Sequence, residues 1–219
     1  MRLRNNPEAL DHLKDHGDIV YINPEGMKGK WHSCFENQDA PLYIEIGMGK
    51  GDFILENARR YPNINFIGME KFTTVLDKAL KKALREGMPK NLIFLKDDAV
   101  RLPELFENGE LDRIYLNFSD PWPKSRHAKR RLTYPSFLEL YKNALKKQGE
   151  MIFKTDNRNL FEYSLVTFAN NGFVFEDVCL DLHHQEGYED NIQTEYERKF
   201  SKNGPIYRLA VRVKGEENG

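Results

Sequence analysis

Residues 42–53 read LYIEIGMGKGDF. The first five form an apolar run of strand length, broken only by Glu45, and glycines at 47, 49 and 51 follow at once. A strand that runs into glycines and then into a helical pattern from Phe53 to Tyr61 opens a βα unit. Glycine lets the chain turn tightly there and lets a ligand touch the backbone. The dinucleotide fingerprint GxGxxG would place a third glycine where this chain has Asp52. An acid in the first helical turn is a poor neighbour for a pyrophosphate, so the loop favours a cofactor without phosphates.

From this loop outward the same alternation repeats. Strand patterns at 65–70, 92–95, 112–118 and 150–154 are separated by helical patterns at 75–85, 100–106 and 137–146, with another helix at 160–170. Repeated βα units predict a mostly parallel, doubly wound α/β sheet, because parallel strands need crossover connections. The last strands, 173–182 and 206–213, have no long helix between them, which predicts an antiparallel edge strand. Residues 1–41 do not match a βα unit and read as an N-terminal arm carrying Arg2, Arg4, Asn5 and Pro7, while 42–219 reads as a single domain.

Thirty-three Lys and Arg stand against 34 Asp and Glu, a formal net charge of -1. The balance gives no direct sign of nucleic-acid binding, so the distribution of charge carries the information. No apolar run approaches membrane-spanning length and no signal-type stretch follows Met1, so a cytoplasmic protein is expected. Cys34 and Cys179 lack the spacing of a zinc or redox pair, and the adjacent His183 and His184 near Asp181 point different ways. No metal is expected.

Further acids fall at the carboxyl ends of the predicted strands, where open α/β sheets bind ligands. Glu70 ends the second strand, at the usual place for a ribose-hydroxyl acceptor; Asp98 ends the third, after Asp97; Asp120 follows the fourth. Any one of them reads equally well as a cap or turn residue. Together with Glu45 they describe acceptors for an amine and two ribose hydroxyls, with no basic residue awaiting a phosphate. That is a site for a cationic nucleoside such as S-adenosylmethionine.

Residues 117–131, NFSDPWPKSRHAKRR, add a second line of inference. Pro121 and Pro123 disfavour helical geometry at Asp120 and Trp122, which holds Asp120 extended at a strand end. Trp122 suits either base stacking or packing. The strip that follows, with Lys124, Arg126, Lys129, Arg130 and Arg131, suits phosphates. Its contiguity with a reaction crevice points to a polyanion passing a catalytic site.

Here the chain resembles the bacterial tRNA (guanine-N7-)-methyltransferase family. The pieces are IEIGMGKGDF at 44–53, GMEK at 68–71, DDA at 97–99, YLNFSDPWPKSRHAKRRL at 115–132, FKTDNRNLFEY at 153–163 and TEYERKF at 194–200. The resemblance implies a Rossmann-like class I S-adenosylmethionine-dependent methyltransferase fold and methyl transfer to N7 of a guanosine in the tRNA variable loop. It implies that Glu45, Glu70, Asp98 and Asp120 bind cofactor, alongside Gly47, Gly49 and Gly51, with Asp120 also catalytic. Lys124, Asp156, Thr194, Glu195, Tyr196 and Glu197 are implied as substrate contacts. Thr194 and Glu197 equally fit a helix cap and the third residue after it. The partner implied is tRNA, and the sequence leaves monomer and homodimer open. Two rivals stand beside this reading: an exocyclic-amine methyltransferase, whose Asp/Asn-Pro-Pro-aromatic turn Asp-Pro-Trp is close to, and a non-catalytic RNA-binding module.

Overall fold

The strand that ends in glycines is β2, Leu42–Ile46, and it lies at the point where the sheet changes direction of winding. In the computed structural model, which describes residues 6–215, β2 pairs in parallel with β3, Asn65–Met69, on one side and with β5, Leu111–Asn117, on the other. The eight strands run in the order β1-β4-β3-β2-β5-β6-β8-β7. Here β1 is Val20–Ile22, β4 Leu92–Lys96, β6 Leu145–Thr155, β7 Phe173–Cys179 and β8 Tyr207–Val213. All neighbours are parallel except β6 with β8 and β8 with β7. The expected antiparallel edge is therefore present and spans two strands.

Alternation along β2 explains the two-sided core. Leu42, Ile44 and Ile46 face one apolar cluster, which also holds residues of α5, Pro135–Ala144, and α6, Arg158–Asn170. Tyr43 turns to the opposite cluster, beneath α2, Asp52–Arg60, and α3, Thr73–Glu86. On α3, Leu76, Ala79, Leu80 and Ala83 repeat at helical spacing and are fully buried. Because crossovers alternate between faces, the crevice at the carboxyl ends of β2 and β5 stays open at the reversal.

Residues 6–41 pack onto the sheet. Helix α1, Glu8–Lys14, packs on α3, β1 extends the sheet beside β4, and Trp31 is fully buried with its Nε1–H donating at 2.7 Å to the Leu105 carbonyl of the short helix α4, Leu102–Leu105. Of the four residues singled out in that segment, Arg2, Arg4 and Asn5 lie outside the described residues; Pro7 is the N-cap of α1. Between β7 and β8 lies the expected irregular segment, with a short α-helix, α7, Glu195–Phe200, followed by a 3-10 turn at Ser201–Asn203. Among the described residues no helix is long and apolar enough to cross a membrane.

Candidate active site

The glycine loop turns at three left-handed residues, Gly47 at φ 73°, Gly49 at φ 60° and Gly51 at φ 78°. A side chain at Gly47 or Gly49 would meet nothing within 4 Å, so the loop leaves space above its backbone. Gly51 differs: a Cβ there would lie 3.3 Å from Ala79 Cβ, which makes it a packing glycine between α2 and α3. The loop is held from below by Glu70, whose Oε2 accepts from Gly49 N at 3.2 Å and whose Oε1 accepts from Phe72 N at 2.9 Å. Burial raises the Glu70 pKa, against the pull of those backbone donors.

Above the strand ends lies a cavity of about 610 Å³. Gly47, Glu70, Asp98 and Asp120 line it, with Phe118 and Trp122 from the turn after β5. Asp98 is half-buried, caps the short helical turn at Ala99–Arg101 by accepting from Val100 N, and has Lys71 Nζ 3.9 Å away. Asp97 is buried and held by Arg101 Nη1 at 2.9 Å, a structural pairing that sets the two neighbours apart. Asp120 is exposed and makes no hydrogen bond or ion pair among the described residues. Phe118 at φ 52° and Trp122 at φ 42° bracket it, so the turn is tighter than the extended geometry the prolines suggest at Trp122.

Glu45 stands apart from this lining. It is 1 % exposed beneath the loop, with Oε1 accepting from Asn117 Nδ2 at 2.8 Å. Its Oε2, with Asn117 Oδ1 and Ser119 Oγ, is buried without a partner. Desolvation pushes its pKa up to about 8, opposed by Asn117 and the Lys154 charge.

The cationic strip is divided in use. Lys71, Lys129 and Arg130 line the cavity, so the expectation that no basic residue waits for a phosphate beside these acids is corrected: the 3-10 helix Ser125–Arg130 folds the strip back over the strand ends. Arg130 lies over the Trp122 ring at 4.9 Å. Lys124 and Arg126 are exposed. Arg131 instead donates to the carbonyls of Pro121 and Trp122, each at 3.1 Å, and stacks on Tyr163, so it braces the turn.

Asp156 and the segment before and within α7 do not line this cavity and reach its edge only through Phe118 and the glycine loop. Thr194 Oγ1 accepts from Glu197 N at 2.9 Å, the cap anticipated from spacing. Glu195 pairs with Lys50 of the glycine loop at 2.8 Å, and Tyr196 packs against Phe118 at 5.0 Å while its hydroxyl donates to Asp156 at 2.9 Å. Glu197 points inward and is fully buried. Lys154 Nζ donates to it at 2.6 Å and Asn191 Nδ2 at 2.6 Å, with His183 Nε2 at 3.1 Å. Burial lowers the Lys154 pKa and the Glu197 charge opposes that shift. His184 pairs with Asp181, so the adjacent histidines do diverge. Nothing in the sequence pattern singles out Asn191, and only the unusual Lys in the apolar run MIFKT hints that Lys154 is a buried cation.

A family model described as "Putative methyltransferase" matches residues 39–209. The tRNA (guanine-N(7)-)-methyltransferase of Listeria monocytogenes is 53% identical over 213 residues, covering 97% of this chain and 98% of the relative. That of Bacillus cytotoxicus is 51% identical over 217 residues, 99% of each. The chain belongs to the tRNA (guanine-N(7)-)-methyltransferase family. Among solved structures, a 16S rRNA (adenine(1408)-N(1))-methyltransferase from Catenulisporales acidiphilia, determined with cosubstrate SAM, superposes with a TM-score of 0.59. It is 16% identical and covers 86% of this chain and 90% of that one, a likeness of fold. The sheet is thus that of the class I methyltransferases.

Proposed function

We propose that this chain transfers the methyl group of S-adenosylmethionine to N7 of a guanosine in the variable loop of tRNA. One observation carries the reading: the acids Glu70, Asp98 and Asp120 and the cations Lys129 and Arg130 line a single cavity at the sheet's reversal. Acids suit a cationic nucleoside and cations suit a phosphate backbone, and here the two meet.

The residues present fit the cofactor. Gly47 and Gly49 leave open space over the loop, Glu70 has acceptor capacity beyond its two backbone bonds, and buried Ser119 Oγ has no partner at the cavity edge. Glu70 and Asp98 would hold the ribose and base, and the backbone of 47–49 the amino-acid end. Bound there, the cofactor supplies an electrophilic methyl on a sulfonium.

The protein's task is then alignment. N7 of neutral guanine has an in-plane lone pair and no proton to lose, so no general base is required. Orientation alone supplies roughly 7–11 kcal/mol in favourable intramolecular systems. Positive charge develops on the purine as the methyl moves, and the unpaired, exposed carboxylate of Asp120 stabilises it electrostatically. Asp156, Thr194, Glu195 and Tyr196 face guanine's donor edge, and Lys124, Arg126, Lys129 and Arg130 hold phosphates. Glu45 joins the end of β2 to the end of β5 through Asn117.

The test is incubation of purified protein with unmodified tRNA transcript and methyl-labelled S-adenosylmethionine, followed by digestion and identification of the nucleoside. Label in 7-methylguanosine at the variable loop is expected. Label in an exocyclic-amine product would instead favour the amine methyltransferase, and no label with intact cofactor binding the RNA-binding module.

A further inference from the structure

Lys154 is an ammonium 2 % exposed at the end of β6, where it lines a second cavity of about 510 Å³ together with Phe53, Asn191 and Ile192. Its three hydrogen bonds all go to the segment that crosses from β7 to β8: Glu197 Oε2 at 2.6 Å, the Ile192 carbonyl at 2.9 Å and Asn191 Oδ1 at 3.2 Å. The Phe53 ring of α2 covers it at 4.9 Å. Glu197 in turn gathers Lys154, Asn191 and His183, and its own N–H is capped by Thr194. The outer face of the same helix meets the edge of the crevice: Tyr196 packs on Phe118, which lines it, and donates to Asp156, while Glu195 pairs with Lys50 of the glycine loop and Arg198 with Asp52 beside it. One buried pair therefore fixes the rotation of a six-residue helix that is too short to be stable on its own.

We infer that Lys154 is a positioning residue for the acceptor base, acting through Glu197, and that Glu197 is its buried counterion and not a reader of guanine. The inference rests on the reading of the crevice as a guanine site. A lysine at the base of a wall orients that wall only while its carboxylate partner is charged and present. Removing one member leaves the other buried and uncompensated, whereas neutralising both leaves groups that can still pack and hydrogen-bond. A carboxylate that touches the base behaves differently, since its loss is not repaired by a second change inside the protein.

The experiment is a cycle of Lys154→Met, Glu197→Gln and the double variant in the full chain. It reads three quantities: the KM for tRNA and kcat, the Kd for S-adenosylmethionine, and amide hydrogen exchange over residues 187–200. Lys154→Met is expected to raise the KM for tRNA about tenfold or more, with cofactor Kd within about threefold of wild type, and to speed exchange in 191–200 while β2 to β5 stay protected. The double variant is expected to regain wild-type KM within about threefold and to restore protection. Loss of methylation in Glu197→Gln that persists in a folded double variant, with protection normal, overturns the inference and returns Glu197 to the base. Unaltered exchange in Lys154→Met overturns it as well. If Lys154→Met does not fold, the double variant alone decides by the same KM criterion. Wild-type protein that fails to methylate tRNA would sink the functional reading, and the exchange comparison would still judge the anchoring of α7.

Discussion

Arg131 donates from Nε to the Pro121 carbonyl at 3.1 Å, so the last residue of the cationic strip is tied back to the turn that carries Asp120. A second donor from the same guanidinium reaches the Trp122 carbonyl, and the fork thereby grips two successive peptide groups. Lys124 and Arg126, by contrast, project outward without an acidic partner among the described residues. Alanine at Lys124 or Arg126 should weaken tRNA binding and reduce the slope of log K against log salt by about 1 for each phosphate left without its cation. Arg131→Ala should leave that slope nearly unchanged and lower kcat, because it loosens the turn. Filter binding across a salt series, with single-turnover rates, separates the two; a lowered slope for Arg131→Ala would make it a phosphate ligand after all.

Asp120→Asn keeps the side chain's shape and removes its charge. If the carboxylate stabilises charge developing on the purine, the single-turnover rate should fall by about 10²-fold, the size of removing one preorganised electrostatic interaction. Cofactor affinity should change far less. Rapid quench measurements at saturating tRNA give the rate directly, and an unchanged value would remove charge stabilisation from the role of Asp120.

The parallel sheet was legible because β2, β3 and β4 are apolar runs ended by turns, the mark of strands buried on both faces. The meeting of Glu70, Asp98 and Asp120 in one cavity was legible for a related reason: they follow strands whose ends any doubly wound sheet brings together. Strand β1 was hidden because three residues, Val20–Ile22, carry too little pattern, and their partner Phe94 lies far along the chain. The inward turn of Glu197 was hidden because its capping spacing fixes the start of the helix but not which face is buried. That face is chosen by Lys154, 43 residues earlier. Arg131 reads as one more cation of a strip, and only its meeting with the Pro121 and Trp122 carbonyls distinguishes it.

Gly47 and Gly51 should not respond alike. Gly51→Ala places a Cβ 3.3 Å from Ala79 Cβ at φ 78°, so it combines backbone strain with a steric conflict against α3. A loss of about 1–3 kcal/mol in urea unfolding is expected. Gly47→Ala meets no neighbour, so its stability cost is limited to the left-handed backbone, roughly 1 kcal/mol. Its methyl group enters the space over the loop, and calorimetry should show weakened S-adenosylmethionine binding beyond that stability loss. Equal cofactor affinity in Gly47→Ala and wild type would place the ligand away from the loop.

Glu45 makes stability fall as pH rises. Its folded pKa is pushed up to about 8 by desolvation, above the usual glutamate value of about 4.3. Between those values the native state holds a proton that the unfolded chain has released, so its contribution is fully present below about pH 4.3 and declines until about pH 8. Glu45→Gln cannot ionise, and its amide offers a donor beside Asn117 Oδ1, which is buried without one. The variant should match the wild type near pH 5 and exceed it by pH 8, by on the order of a few kcal/mol at most. Paired urea titrations at pH 5, 6.5 and 8 measure the difference free of the protein's other titrating groups. Curves that stay parallel across that range would mean that Glu45 is already ionised in the native protein, with Lys154 near enough to hold its charge.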